Sequence, residues 1–250
     1  MKVTIITTTY NSAVSIKTCL DSVVFQDFSE LEYLVIDGKS TDNTICIVKD
    51  YQKKYSFIKL VSEEDFGIYD ALNKGVKLAN GDMIGFVHSD DFLASNQIVS
   101  EIVNKIKKEN LDGVYGDLQY VDKFELNKVI RLWKSSDFTT RLLKKGWMPA
   151  HPTFFLNKTV YEKHGLFNLT YKIAADYDFM LRVLKDNTLK FGYLPKVITK
   201  MRVGGASNRS LINIIQKTKE DYRAIRSNQV GGIFSILRKN TSKIKQFIFK

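Results

Sequence analysis

The sequence predicts an α/β fold: a doubly wound, mostly parallel sheet followed by a basic helical tail. Three observations predict it. Short β-branched apolar runs alternate three times with helix-period segments before Asp91. A polar cluster closes each apolar run. The final stretch changes composition and becomes strongly basic.

Val3 to Thr8 reads as a buried strand that ends at Tyr10-Asn11-Ser12. Asn11 or Ser12 can cap the next helix, in which Val14, Ile16, Leu20, Val23 and Val24 follow helical spacing. Leu31–Ile36, Phe57–Ser62 and Met83–Val87 read as further strands. Thr41–Tyr51 and Gly67–Ala79 read as the helices between them. Beyond Asp91 the alternation loosens. Gln97–Lys108 and Ala174–Leu184 read as helices, and Gly113–Val121, Lys128–Trp133, Lys190–Tyr193 and Val197–Met201 as strands. Helices follow over Leu211–Arg226 and Ile233–Phe249.

With 250 residues and 44% hydrophobic composition, the chain can bury one large core. The net charge is +11, and +8 of it lies in residues 205–250, where ten Lys and Arg face two acids. This asymmetry points to a local patch for an anionic surface, such as a phospholipid bilayer, rather than to nucleic acid. The tail carries Ile212, Ile215, Tyr222, Ile225, Phe234, Ile236, Leu237, Ile244, Phe247 and Ile248 among its basic residues. It fits either an amphipathic helix lying on a membrane or a helix packed on the domain with a solvated basic face. The division expected is a catalytic domain over 1–208 and a tail over 209–250. Cys19 and Cys46 sit among apolar residues and read as buried free thiols. No run reaches the ~20 apolar residues of a membrane span. The location expected is the cytoplasm, with the tail on the inner face of the membrane.

Ligands of such sheets bind beyond the carboxyl ends of the strands. Four polar clusters fall there: Thr8-Thr9-Tyr10-Asn11, Asp37-Gly38-Lys39-Ser40, Glu63-Glu64-Asp65 and Ser89-Asp90-Asp91. Asp90-Asp91 suits a hard cation, Mg²⁺ or Mn²⁺, that shares its oxygens with a phosphate group, or else caps a helix before Phe92. Asp176 and Asp178 open a helix, where a carboxylate serves either the macrodipole or the deprotonation of a hydroxyl. Tyr10 can stack on a base or pack at the loop root, and Asp37 can accept from a base imide or hold a turn. Trp147 to Pro152 reads as a rigid aromatic loop containing His151; the three histidines show no metal-ligand spacing. The first loop is not GxGxxG, and neither GxxxxGK[ST] nor GxSxG occurs. A dinucleotide oxidoreductase, a P-loop NTPase and an α/β-hydrolase therefore lack their signatures.

In order, these segments resemble the family 2 glycosyltransferases of bacterial surface-polysaccharide pathways, which have the GT-A fold. The resemblance rests on Thr8–Ser12, Ile36–Thr44, Ser62–Gly75, Ala79–Asp82, Ser89–Asp91, Ala175–Arg182 and Gly204–Ser207. It implies a Rossmann-like nucleotide-binding half with a mixed central sheet. It implies a nucleotide-sugar site, UDP favoured, of Thr8, Tyr10, Asn11, Asp37, Asp65, Asn73, Ser89 and Asp90. Asp90 and Asp91 would hold Mn²⁺ or Mg²⁺, His88 standing where the family often has Asp or Asn. Asp176 would be the base of an inverting transfer, with Ala175 where many relatives have Glu. The acceptor, a saccharide and by resemblance a lipid-linked one, would lie on the side of Trp147 and His151. The loop from Gly204 to Ser207 would close over the donor. The alternatives are a non-catalytic nucleotide-sugar-binding module of the same fold and a nucleotidyltransferase, which would want a Gly-rich basic first loop.

Overall fold

The computed structural model describes residues 1–204 and 211–242. Strands β1 (Val3–Thr9), β2 (Leu31–Asp37), β3 (Ile58–Ser62) and β4 (Met83–Phe86) form the parallel half of the sheet in the order β3-β2-β1-β4. Val3 is in register with Leu31 on one side and Met83 on the other. The connecting helices are α1 (Ile16–Val24), α2 (Thr44–Lys54) and α3 (Ile68–Leu78).

Side-chain alternation divides the core into two. Val3, Ile5, Tyr33, Val35 and Met83 face α1 and α2, together with α4 (Ile98–Glu109). Ile6, Leu34, Ile36, Ile84 and Phe86 face α3 on the opposite side. A parallel sheet needs both faces covered, and here both are.

The second half makes the sheet mixed. Beyond β4 come β8 (Phe155–Asn157), β6 (Gly113–Val121), β9 (Phe191–Arg202) and β5 (Asp91–Leu93). β7 (Val129–Trp133) pairs with β6. Helices α5 (Thr140–Leu143) and α6 (Lys158–His164) and a single 3-10 turn at His151–Thr153 fill the connections. The strands expected over Lys190–Tyr193 and Val197–Met201 are one strand, β9, beginning at Phe191.

Helix α7 (Ala175–Leu184) packs on the α3 face of the sheet, and α8 (Leu211–Ser227) and α9 (Ile233–Ser242) pack behind it. Ala224, Ile225, Val230 and Ile236 are buried in that core. Ile225 and Ile236 therefore face inward, whereas Ile212, Ile215, Tyr222, Ile233, Phe234 and Leu237 are exposed. Ile244, Phe247 and Ile248, the last turns of the helix expected to Phe249, and residues 205–207 of the expected closing loop lie outside the described residues. No helix among the described residues is long and apolar enough to cross a membrane.

Three local expectations are corrected. Cys19 is buried but Cys46 is exposed, because α2 turns Thr44 and Val48 to the core and Cys46 away from it. Helix α1 begins at Ile16 after Ser15, without a side-chain cap from Asn11 or Ser12. Asp91 caps no helix: Asp91–Leu93 is a strand paired with Thr199–Met201.

Candidate active site

The four polar clusters meet at the carboxyl edge of β1–β4 and are tied together by hydrogen bonds. Asn11 takes a left-handed backbone, φ 48°, which asparagine tolerates better than most residues. Its side-chain oxygen accepts from the Thr41 N–H at 2.8 Å, and its own N–H donates to Ser40 Oγ at 2.8 Å. Ser12 N–H donates to Thr44 Oγ1, and Ser12 Oγ lies 2.9 Å from Ser89 Oγ. The ends of β1, β2 and β4 thus form one rim.

Asp37 is fully buried within this rim. Its carboxylate accepts from Ser40 Oγ and N–H and from Ser62 Oγ at 2.7 Å, locking the ends of β2 and β3 together. Asp65 stands against Gly38, where an added Cβ would lie 2.5 Å from Asp65 Oδ2. Asp65 is also held by the N–H of Gly67, whose φ of 107° strongly favours glycine. Tyr10 projects from the rim with 63% of its surface exposed, so its ring face is open.

Thr8 and His88 lie on the α3 side, with Thr8 Oγ1 3.4 Å from His88 Nδ1. Burial lowers the affinity of His88 for a proton; the charges of Asp90 and Asp176 both act on it in the opposite sense. The His151 ring lies 6.2 Å from that of His88 and stacks on Phe86. Burial brings His151 down to about 4, so it is neutral at neutral pH. Trp147 is half-buried, stacked on Phe138 and edge-on to Tyr115.

Asp90 is exposed, and its backbone carbonyl accepts from Arg202 at 2.6 Å. Asp91 behaves differently: it is 1% exposed and neither carboxylate oxygen has a partner. Burial, then the neighbouring charge of Asp90, pushes its carboxyl well above the ordinary range. Among the described residues no cluster of three or more His, Cys, Asp or Glu could enclose a metal. A Mg²⁺- or Mn²⁺-type site built from one carboxylate and substrate phosphates needs no such cluster.

Two residues play a different part from the one expected. Asn73 is buried and pairs through both ends of its amide with the backbone of Phe167, 2.9 Å each way. Its donors and acceptors face the protein, not the cleft. Asp178 is bonded to Arg182 at 3.1 Å and Asn228 at 2.8 Å, so it holds helices together and is closed to a substrate. Asp176, about half a turn earlier and so on the other side of the helix, is only half-buried and meets the hydroxyl of Tyr69 at 3.1 Å.

The model of glycosyl transferase family 2 matches residues 4–165. The chain belongs to that family. Among curated relatives, a PGL/p-HBAD biosynthesis glycosyltransferase of Mycobacterium bovis is 30% identical over 82% of this chain and 78% of its own. A Methanococcus voltae dolichyl N-acetyl-alpha-D-glucosaminyl phosphate 3-beta-D-2,3-diacetamido-2,3-dideoxy-beta-D-glucuronosyltransferase is 32% identical over 94% of this chain and 76% of its own. Among solved structures, S. aureus TarS in complex with UDP-GlcNAc superposes with a TM-score of 0.72 at 22% identity. That likeness covers 92% of this chain and 66% of TarS residues 1–349. A mannosyltransferase of Pyrobaculum calidifontis, in complex with GDP-Man and Mn²⁺, gives 0.64 at 18% identity over all of this chain and 76% of its own. These structural likenesses show the GT-A fold.

Beside the candidate site of this family 2 glycosyltransferase stand three residues that sequence reasoning left out. Tyr69 lies inside the Gly67–Gly75 segment and bonds Asp176. Arg202 ends β9 and holds the Asp90 loop. Glu220 reaches the start of α7 from the tail. Tyr69 could have been suspected from its place in a matched segment. The other two act across long sequence separations that carry no local signal.

Proposed function

We propose that this glycosyltransferase moves a sugar from a nucleotide-diphosphate sugar, UDP favoured, to a saccharide acceptor carried on a lipid, with inversion at the anomeric carbon. The observation that carries the reading is the meeting of the strand-end clusters in one hydrogen-bonded rim, with the exposed Asp90 following β4 and the half-buried Asp176 opening α7. The base lies between Tyr10 and the Asp37–Asp65 wall, and Thr8, Asn11 and Ser89 line the path toward the diphosphate. Asp176 takes the proton of the attacking hydroxyl. Attack from the face opposite the leaving diphosphate inverts the configuration. Trp147 and His151 lie on the acceptor side.

Asp90 fits a divalent cation: an exposed hard-oxygen donor at the strand end, backed by the orphaned Asp91 carboxylate. Asp90 would hold Mn²⁺ or Mg²⁺ together with the donor phosphates, with the buried Asp91 carboxyl behind it. When bound, such a cation supplies Lewis-acid charge to the leaving diphosphate. Support for cation and nucleotide comes from the fold neighbours, which carry UDP-GlcNAc in one case and GDP-Man with Mn²⁺ in another. The dolichyl-linked substrate in the name of the Methanococcus relative supports a lipid carrier.

The exposed Ile212, Ile215, Tyr222, Ile233, Phe234 and Leu237, set among Lys219, Arg223, Arg226 and Arg238, fit an anionic bilayer at the inner face of the membrane. The test of function is a screen of nucleotide-sugars, with and without Mn²⁺ or Mg²⁺, against lipid-linked saccharides. Transfer from one donor that depends on the cation is expected. Binding without transfer or hydrolysis for every donor would leave a non-catalytic module. For the membrane, Phe234→Asp with Leu237→Asp should abolish flotation with anionic vesicles. Unchanged flotation would remove the tail from that role.

A further inference from the structure

The turn that leads into α7 is held from another helix. Lys172, Ile173 and Ala174 present three successive backbone N–H groups just before the helix. Lying ahead of the first helical turn, such donors have no partner within the helix and need one from elsewhere when they are buried. Here the N-cap is Ala174, which has no side chain to offer. All three N–H groups donate instead to the Glu220 carboxylate on α8, at 3.1, 2.8 and 3.0 Å.

Glu220 is built into this place. It is 5% exposed, and Gln216 Nε2 donates to its Oε1 at 2.7 Å. Burial pushes its carboxyl up, but the bonds from Gln216 and from the Ile173, Lys172 and Ala174 backbones outweigh that and hold it below the usual range. It is therefore ionised at neutral pH, facing the positive end of the helix. Tyr69 grips the same turn from the sheet side through the Ile173 carbonyl at 2.6 Å. Asp176, the second residue of α7, stands directly on this clamp. Two more tail contacts hold the helix itself: Asn228 on Asp178, and the Lys239 ammonium, paired with Asp221 at 2.7 Å, over the Tyr177 ring.

We propose that Glu220 is a positioning residue for Asp176, which makes α8 a working part of the active site. The inference rests on the reading of Asp176 as the base. Glu220 touches no substrate and acts by fixing where the Asp176 carboxylate meets the acceptor hydroxyl. The donor clusters belong to β1–β4 and do not depend on it. Misplacement of a reacting group by about 1 Å costs up to ~100-fold in rate.

The test is a two-by-two set in the full chain: wild type, Glu220→Gln, Asp176→Asn and the double variant. Each is assayed for kcat, donor KM and, over long incubations, residual transfer. Glu220→Gln is expected to lower kcat at least about tenfold with donor KM within about twofold. In the Asp176→Asn background it should lower residual transfer no further, because it acts only through that carboxylate. Equal fold-losses in both backgrounds, or a wild-type kcat in Glu220→Gln, would overturn the proposal. A wild-type kcat in Asp176→Asn would instead overturn the base assignment beneath it. If Glu220→Gln does not fold, Gln216→Ala, which removes one support of Glu220, carries the same comparison with an expected loss of about threefold.

Discussion

The hydroxyl of Tyr69 lies 3.1 Å from Asp176 Oδ1 and 2.6 Å from the Ile173 carbonyl oxygen. A phenol has one hydrogen, so it serves one of these acceptors at a time. While Asp176 is ionised the hydrogen can face it. Once Asp176 has taken a proton, the hydroxyl can turn to Ile173 and offer a lone pair. Burial, then the charge of Asp176, pushes the Tyr69 hydroxyl well above its ordinary range, so it stays protonated. Tyr69→Phe removes this two-way contact. A fall in kcat of about tenfold with unchanged donor KM is expected from steady-state kinetics.

Gly38 lets the Asp65 carboxylate lie flat against the end of β2. In Gly38→Ala the new Cβ meets Asp65 Oδ2 at 2.5 Å, and the side chain must move. Donor KM should rise about five- to tenfold, a change of roughly 1 kcal/mol, with kcat nearly kept. Calorimetric titration with the nucleotide separates this from a loss of folding.

Glu32 gives the fold an acid limit. It is 2% exposed and accepts from the Asn80 side chain and N–H, Lys59 and Thr4. Burial alone would raise its carboxyl, but these bonds outweigh it and hold it at about 2. The folded value is below that of the unfolded chain, near ~4.3. The stabilisation is therefore full above ~4.3 and lost as pH falls towards about 2. Its size is roughly 3 kcal/mol. Denaturant titrations between pH 7 and pH 3 should show roughly half of this loss in the wild type. Glu32→Gln should be less stable at pH 7 and lose less on acidification.

Much of the donor half was legible in the sequence because each buried strand there is a β-branched run closed by polar residues. Thr8–Asn11, Asp37–Ser40 and Ser89–Asp91 fall at the strand ends as the pattern predicts. The second half was less legible for a physical reason. Asp91–Leu93 is a strand only because Thr199–Met201 pairs with it, and three residues carry no period of their own. Asn73 sits in a matched segment, yet its amide bonds Phe167, a partner no spacing reveals. The tail's apolar residues divide between core and solvent, Ile225 against Tyr222, by a helix phase that basic composition hides. Asp176 and Asp178 were indistinguishable until Arg182 and Asn228 enclosed one and left the other open.

On the proposed reading, Asp90 would carry a cation dependence. Asp90→Asn keeps the shape and removes the charge of the exposed donor beside the orphaned Asp91. Transfer should fall at least about 100-fold, and EDTA should do the same to the wild type, reversed by added Mn²⁺ or Mg²⁺. Full activity in EDTA would take Asp90 out of that role.

The central claim is that Asp176 is the base of a glycosyl transfer, and Asp176→Asn tests it most directly. Single-turnover transfer, measured beside nucleotide-sugar binding on the same preparation, separates chemistry from affinity. A rate lowered by about 100- to 10,000-fold with donor affinity intact is the predicted result. Transfer at the wild-type rate with intact donor binding would contradict it.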